Sequence, residues 1–415
     1  MKFNEKESKH RNIKLSKHGI WMAALAIVGV SLAVEAQTYT FIDLNPNGYT
    51  SSDAQAISGG QQAGIGITNG NLHALLWSGA ATIVVDLNPS GYDVSDAYAV
   101  FGGQQVGYGA TNGQTNALLW SSTAASFVNL NPSGYTFSIA YGLSGSQQIG
   151  AGYDAVTGTA HALLWSGTAA SVVDLTPNGF FEAFGRDISG SLQVGDGVAS
   201  YGGPGHALLW SGTAASFVDL NPIGFNSSVA YAVSGNQEVG YGDTGGNTHA
   251  LLWSGSAASG VDLNPLGFAA SIAEGTSGSM QVGYGVTNGQ QHALLWSGTA
   301  ASAIDLHQFL SSNYASSIAQ KIDANGNIVG SAYNNTTGQT DAILWVPQII
   351  LSINMYAGLT ISGQVGDTYE IDYVNNLSNT NWTVLTTFVL SNSPCIFFDT
   401  NSTFFSQRYY RALKQ

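Results

Sequence analysis

The chain has 415 residues, of which 11 are Lys or Arg and 25 are Asp or Glu, so charge makes up 9% and the formal net charge is −14. Ordinary soluble domains carry roughly 25% charge, and coiled coils and helical solenoids, built on Glu, Lys and Arg, are excluded. The acidic balance excludes a nucleic-acid binder that works through a basic patch, and the single cysteine, Cys395, can form neither an internal disulfide nor a Cys-rich zinc site.

Six of the basic residues, Lys2, Lys6, Lys9, Arg11, Lys14 and Lys17, precede an apolar run from Ile20 to Val34, and Glu35-Ala36-Gln37 follows. A basic region, an apolar stretch and a small residue before the cut describe a secretory signal peptide over residues 1–36. The run is short of the ~20 apolar residues a spanning helix needs. Cleavage after Ala36 leaves 5 basic and 22 acidic residues, a net charge of −17. No later apolar stretch has spanning length. The mature protein is therefore expected to be secreted, periplasmic or on the cell surface, without a membrane span, and monomeric.

From residue 37 two motifs repeat in step. His-Ala-Leu-Leu-Trp begins at His73, His161, His206, His249 and His292, with variants at Asn116 and Asp341. Asp-Leu-Asn-Pro begins at Asp43, Asp86, Asp219 and Asp262, with variants at Asn129, Asp174 and Asp305. Successive copies lie 43 to 49 residues apart, the period of propeller blades. Each unit reads as four short strands. In the second these are Asp96–Phe101, Gln104–Tyr108, Ala117–Trp120 and Ala124–Leu130. A Gly-Gly turn joins the first two, and Asn112-Gly113, suited to positive φ, joins the next two. The third strand is apolar on both faces of its pleat, as at Ala74, Leu75, Leu76 and Trp77, so both faces must be covered by neighbouring sheets.

The strand count favours a closed ring. A fourth-type strand, Tyr39–Leu44, stands before the first complete unit, and the last unit lacks one after Trp345. The N-terminal strand is expected to complete the seventh blade and remove two open edges. The fold expected is all-β: a seven-bladed β-propeller over residues 37–347 built from ~43-residue four-stranded repeats, with an open β-solenoid as the alternative. Residues 348–415 depart from the repeat and read as a small β-sandwich. Its expected strands are Leu359–Ile361, Tyr369–Tyr373, Trp382–Leu385, Ile396–Phe398 and Tyr409–Ala412. Arg408, Arg411 and Lys414 in this tail read as surface residues.

The repeat unit, Ala-x-Ala-Ile/Val-Ser-Gly-x-Gln-x-Val-Gly followed by His-Ala-Leu-Leu-Trp and Val-Asp-Leu, resembles the HAF repeat of bacterial extracellular proteins. Leu75, Leu118, Leu163, Leu208, Leu251 and Leu294 stand where the family name places Phe, and Ile343 does so in the last unit. The resemblance implies secretion and a repeat architecture, with no agreed reaction. The tail, with its final Arg-Tyr-Tyr-Arg-Ala, looks like a C-terminal β domain found on many secreted bacterial proteins.

Candidate chemistry is sparse. The motif histidines alternate with Asn116 and Asp341, so they read as hydrogen-bonding residues at the strand start, and the motif Asp as an acceptor for turn N–H groups. Asp323-Ala-Asn325-Gly-Asn327 has alternating oxygens, but no Glu closes a calcium loop at residue 334. No metal, cofactor or catalytic residue is assigned. One position varies while its surroundings stay constant: Gln55, Tyr98, Tyr141, Arg186, Tyr231, Glu274 and Gln320. First strands line a propeller channel, so Tyr98, Tyr141, Arg186, Tyr231 and Glu274 are the candidate ligand-binding residues for a sugar or peptide. The leading expectation is a secreted, non-enzymatic binding or cell-surface scaffold for an extracellular glycan or protein ligand. The alternatives are filler of a surface layer, or a glycan-acting hydrolase or lyase using Glu182 or Glu274 as acid.

Overall fold

The computed structural model describes residues 37–80, 84–348, 357–378, 380–402 and 407–415. The expected signal segment lies outside them. Compactness divides the chain at Gln348 into two units.

The first unit is a seven-bladed β-propeller. Each blade is a four-stranded antiparallel sheet, and the inner strands follow one another around the ring as Ser51–Ser58, Val94–Phe101, Tyr135–Ser144, Glu182–Ser189, Ser227–Ser234, Ala270–Ser277 and Tyr314–Ile322. Blade 7 is closed by Tyr39–Asp43, which pairs with Gln339–Pro347 in the register Tyr39↔Pro347 to Asp43↔Ile343. The turns follow the sequence: Gly102 and Gly103 have φ of 58° and 81°, and Asn112 and Gly113 have 51° and 76°. These positive values match the twist of the hairpins they join.

The expected fourth strand is shorter than Ala124–Leu130. In blade 2 it is a 3-10 turn, Ala124–Ser126, followed by the two residues Val128–Asn129. Ser126 causes the difference: its Oγ donates to the Thr123 carbonyl at 2.6 Å and accepts the Ser121 N–H at 2.8 Å. A hydroxyl that bonds nearby backbone competes with the sheet ladder.

The core lies between blades. Ala74 and Leu76 pack on Ala97, Val100, Leu118 and Trp120 of blade 2. Leu75 and Trp77 pack the other way, on Val329, Ala342 and Leu344 of blade 7. All seven motif tryptophans are fully buried. Each buried Leu contributes about 1.5–3 kcal/mol, and none of these faces would be covered in an isolated blade. Serine bonds stitch neighbours together: Ser95 Oγ accepts the Ala74 N–H at 3.0 Å, and Ser52 accepts that of Ala342 across the closure at 3.1 Å. Blade 4 has Ala183 at this place, and Thr176 Oγ1 takes the Ala162 N–H instead, at 3.2 Å.

The second unit holds a two-stranded sheet, Ala357–Ile361 with Cys395–Asp399, and a three-stranded sheet of Thr383–Val389, Thr368–Val374 and Tyr409–Lys414. Ile361, Ile371 and Leu390 form their shared core. Of the tail cations, Arg411 and Lys414 are exposed as expected, and Arg408 is not. Arg408 is buried against Asp399 and lies 4.0 Å from the Tyr373 ring centroid, while Arg411 pairs with Asp372 at 2.8 Å. A small unit with little apolar interior gains order from such pairs.

Candidate functional site

Every inner strand carries a β-bulge at the same place. The pairing register slips between Ala54 and Ala56, Ala97 and Ala99, Ala140 and Gly142, Gly185 and Asp187, Ala230 and Ala232, Ala273 and Gly275, and Ala319 and Lys321. The skipped residues are Gln55, Tyr98, Tyr141, Arg186, Tyr231, Glu274 and Gln320, the variable position of the repeat. A bulge frees one residue from the ladder and re-aims its side chain. Glycine on the second strand makes room for it. A Cβ at Gly64 would fall 2.0 Å from the Asp53 carbonyl oxygen, and one at Gly195 would fall 1.8 Å from that of Phe184. The same Gly recurs in all seven units.

The seven bulge residues, with Asp53 and Lys321, line one cavity of about 370 Å³ in the central channel. Its wall is aromatic on one side: Tyr98 and Tyr141 have centroids 5.1 Å apart, and Tyr98 and Tyr108 6.0 Å. Arg186 projects between Tyr141 and Tyr231, 5.6 and 5.8 Å from their centroids, a cation–π arrangement. Its Nε donates to Asp196 Oδ1 at 2.9 Å. Asp196 is the residue of the second strand that stands where Tyr108 and Tyr241 stand in their blades. Burial pushes the Asp196 carboxyl up, opposed by Arg186.

Lys321 pairs with Asp187 at 3.2 Å, from blade 7 to blade 4 across the channel. The equivalent residues elsewhere are Ala56, Ala99, Gly142, Ala232 and Gly275. Lys321 also borders a second cavity of about 450 Å³ at the first-hairpin end, which Asp187 lines. The ion pair stands as a strut between the two spaces. Burial pushes Glu274 up to about 7, although Lys321 and Arg186 pull it down.

Sequence reasoning missed one tier of this site. Two residues before the bulge stand Asp53, Asp96, Ile139, Phe184, Val229, Ile272 and Ile318. Five are apolar and two, in adjacent blades, are Asp. The signal was present as two acids in a column of Ile, Val and Phe. Burial pushes Asp53 up to about 6 and Asp96 up to about 7, with Asp53 adding to the effect on Asp96.

The other candidates lie elsewhere. Each motif His pairs through Nδ1 with the motif Asp thirteen residues on, from His73–Asp86 at 2.7 Å to His292–Asp305 at 2.8 Å. The second Asp oxygen accepts a backbone N–H two residues further, as Asp86 Oδ1 does from Asn88 at 2.8 Å. The two motifs are one hydrogen-bonded unit, and their constant spacing was its trace. Asp323 Oδ1 accepts the N–H groups of Asn325 and Asn327 at 2.8 and 2.9 Å, so the loop's own backbone occupies it. Glu182 begins an inner strand opposite Val198, outside the cavity lining. Glu238 Oε2 accepts the Gly255 N–H at 2.8 Å, where blades 2, 3, 4 and 6 use Gln.

The propeller is similar in fold to a puromycin hydrolase mutant complexed with PGG, at 10% identity and a TM-score of 0.53, over 75% of this chain and 57% of that one. It is also similar to a structure from a study of two prolyl endopeptidases, at 9% identity and a TM-score of 0.50, over 77% of this chain and 53% of that one. The chain spans just over half the length of both. At such identity the likeness is one of fold. No protein-family model matches the chain, and no curated protein does.

Proposed function

We propose that the chain is a secreted binding protein whose propeller holds a small polar ligand in its central cavity. The carrying observation is the bulge ring. Seven residues at one repeat position, differing in chemistry, are freed from pairing and turned onto one space, three of them Tyr. Aromatic faces with amide and charged groups between them suit sugars and short peptides. The signal-like N-terminus and the resemblance to HAF repeats support an extracellular location.

A Tyr98→Ala, Tyr141→Ala, Tyr231→Ala variant should lose saccharide or peptide binding by calorimetry while keeping its far-UV spectrum. Unchanged affinity would retire the site. A hydrolytic reading is favoured by one observation: burial holds Glu274 at about 7, the range of a general acid, in the cavity that also contains Asp53. Turnover on a glycan panel that disappears in Glu274→Gln would replace the binding reading with that one.

A further inference from the structure

Charge in the channel does not balance. Two cations border the cavity, Arg186 and Lys321, and each is paired with an acid of its own, Asp196 and Asp187. Asp53, Asp96 and Glu274 have no ion pair among the described residues. Asp96 is 6% exposed, its Oδ1 is buried without a hydrogen-bond partner, and its carboxyl is approached by Gln55 Nε2 at a long 3.5 Å, by the Tyr98 side chain and by the Ala97 N–H. Asp53 Oδ1 is likewise buried and unpartnered, while the carboxyl takes one hydrogen bond from the Ser331 side chain and the residue lines the cavity. Gln55 and Tyr98, the cavity residues of the same two blades, flank this pair.

Unpaired buried carboxyls destabilise a fold. Five other blades show that Ile, Val or Phe serves at this tier. Asp53 in the cavity wall and Asp96 behind it are therefore poorly explained by packing. A protonated amine entering beside Gln55 would supply the positive charge that both carboxyls lack and donors for their unpartnered Oδ1 atoms, and would rest against the Tyr98 and Tyr141 rings, which attract cations.

We propose that the cavity selects ligands bearing a protonated primary amine, held by Asp53 and Asp96 with Tyr98 as its aromatic face. This inference rests on the binding reading of the same cavity. An amine of this kind could belong to an amino sugar or to a peptide N-terminus, and matched probes separate the two.

Calorimetry should compare chitobiose with its N,N′-diacetyl form, and triglycine with N-acetyltriglycine, on the full chain. The free amine of one pair should bind at least ~10-fold more tightly than its acetylated form, and the pair that does so names the source. In Asp53→Asn with Asp96→Asn the preference should vanish while the thermal midpoint stays or rises. Each single variant should show part of that loss, which keeps the test valid if the double variant does not fold. Equal or tighter binding of the acetylated forms, or a preference that survives the Asn variants, overturns the amine site and leaves the cavity reading standing. No binding of any probe overturns both.

Discussion

Arg186 shows how a single residue takes its meaning from its partner. It is the only Lys or Arg between residues 37 and 320, so its position on the variable column was visible in the sequence. Its partner was not, because Asp196 lies on the next strand at a place filled by Ile, Tyr or Ala in most units. Arg186→Met leaves the Asp196 carboxyl, 11% exposed, without its cation. Breaking such a pair from one side costs about 3–5 kcal/mol, whereas replacing both partners costs far less. Urea unfolding should show that loss for Arg186→Met and recovery for Arg186→Met with Asp196→Leu. An unchanged midpoint in the single variant would mean the pair does not hold blade 4.

At the scale of the element, ring closure was legible because strands could be counted. The expectation needed only the alternation of residues 39–44 and the missing partner after Trp345. The structure adds what the strand holds in place. Tyr39 is 4% exposed, Leu44 is fully buried, and the Leu44 carbonyl accepts the Trp77 indole N–H at 3.0 Å. Removing residues 37–44 strips these and leaves Gln339–Pro347 as an open edge. The expected loss is several kcal/mol, at about 1.5–3 kcal/mol for each large apolar side chain. Thermal unfolding of the shortened chain measures it, and an unaltered midpoint would refute closure by this strand. The bulges were not legible in the same way. They depend on a carbonyl of one strand fitting where a second strand has Gly, and each half alone looks like ordinary strand sequence.

For the whole molecule, the burial of acids sets the response to pH. Asp53 is held at about 6, and Asp96 and Glu274 at about 7, by burial in the channel; an unfolded chain titrates these groups near 4. The folded protein therefore binds more protons than the unfolded one across that window, and its stability falls as pH rises from about 4 to about 7. Denaturant unfolding should show a more stable protein at pH 5 than at pH 8. The variant Asp53→Asn, Asp96→Asn, Glu274→Gln should flatten the difference. A stability that climbs toward pH 8, or an unflattened slope in the variant, would contradict this account.

Strand periodicity, turn glycines, the repeat and the count of edges are local or additive properties, and the sequence by itself determined them: seven blades, their closure, and a variable column on the inner strands. Contacts between residues far apart in the chain are not local. The bulge decided where the variable side chains point, the ring brought Asp187 to Lys321 across the channel, and adjacency of blades 1 and 2 placed Asp53 beside Asp96. Scarcity of charge is also explained at that level. Strands packed between blades exclude most charge, and several of the charged residues kept inside, Asp53, Arg186, Asp187 and Lys321 among them, meet in the channel, where the tertiary structure alone decides which of them pair.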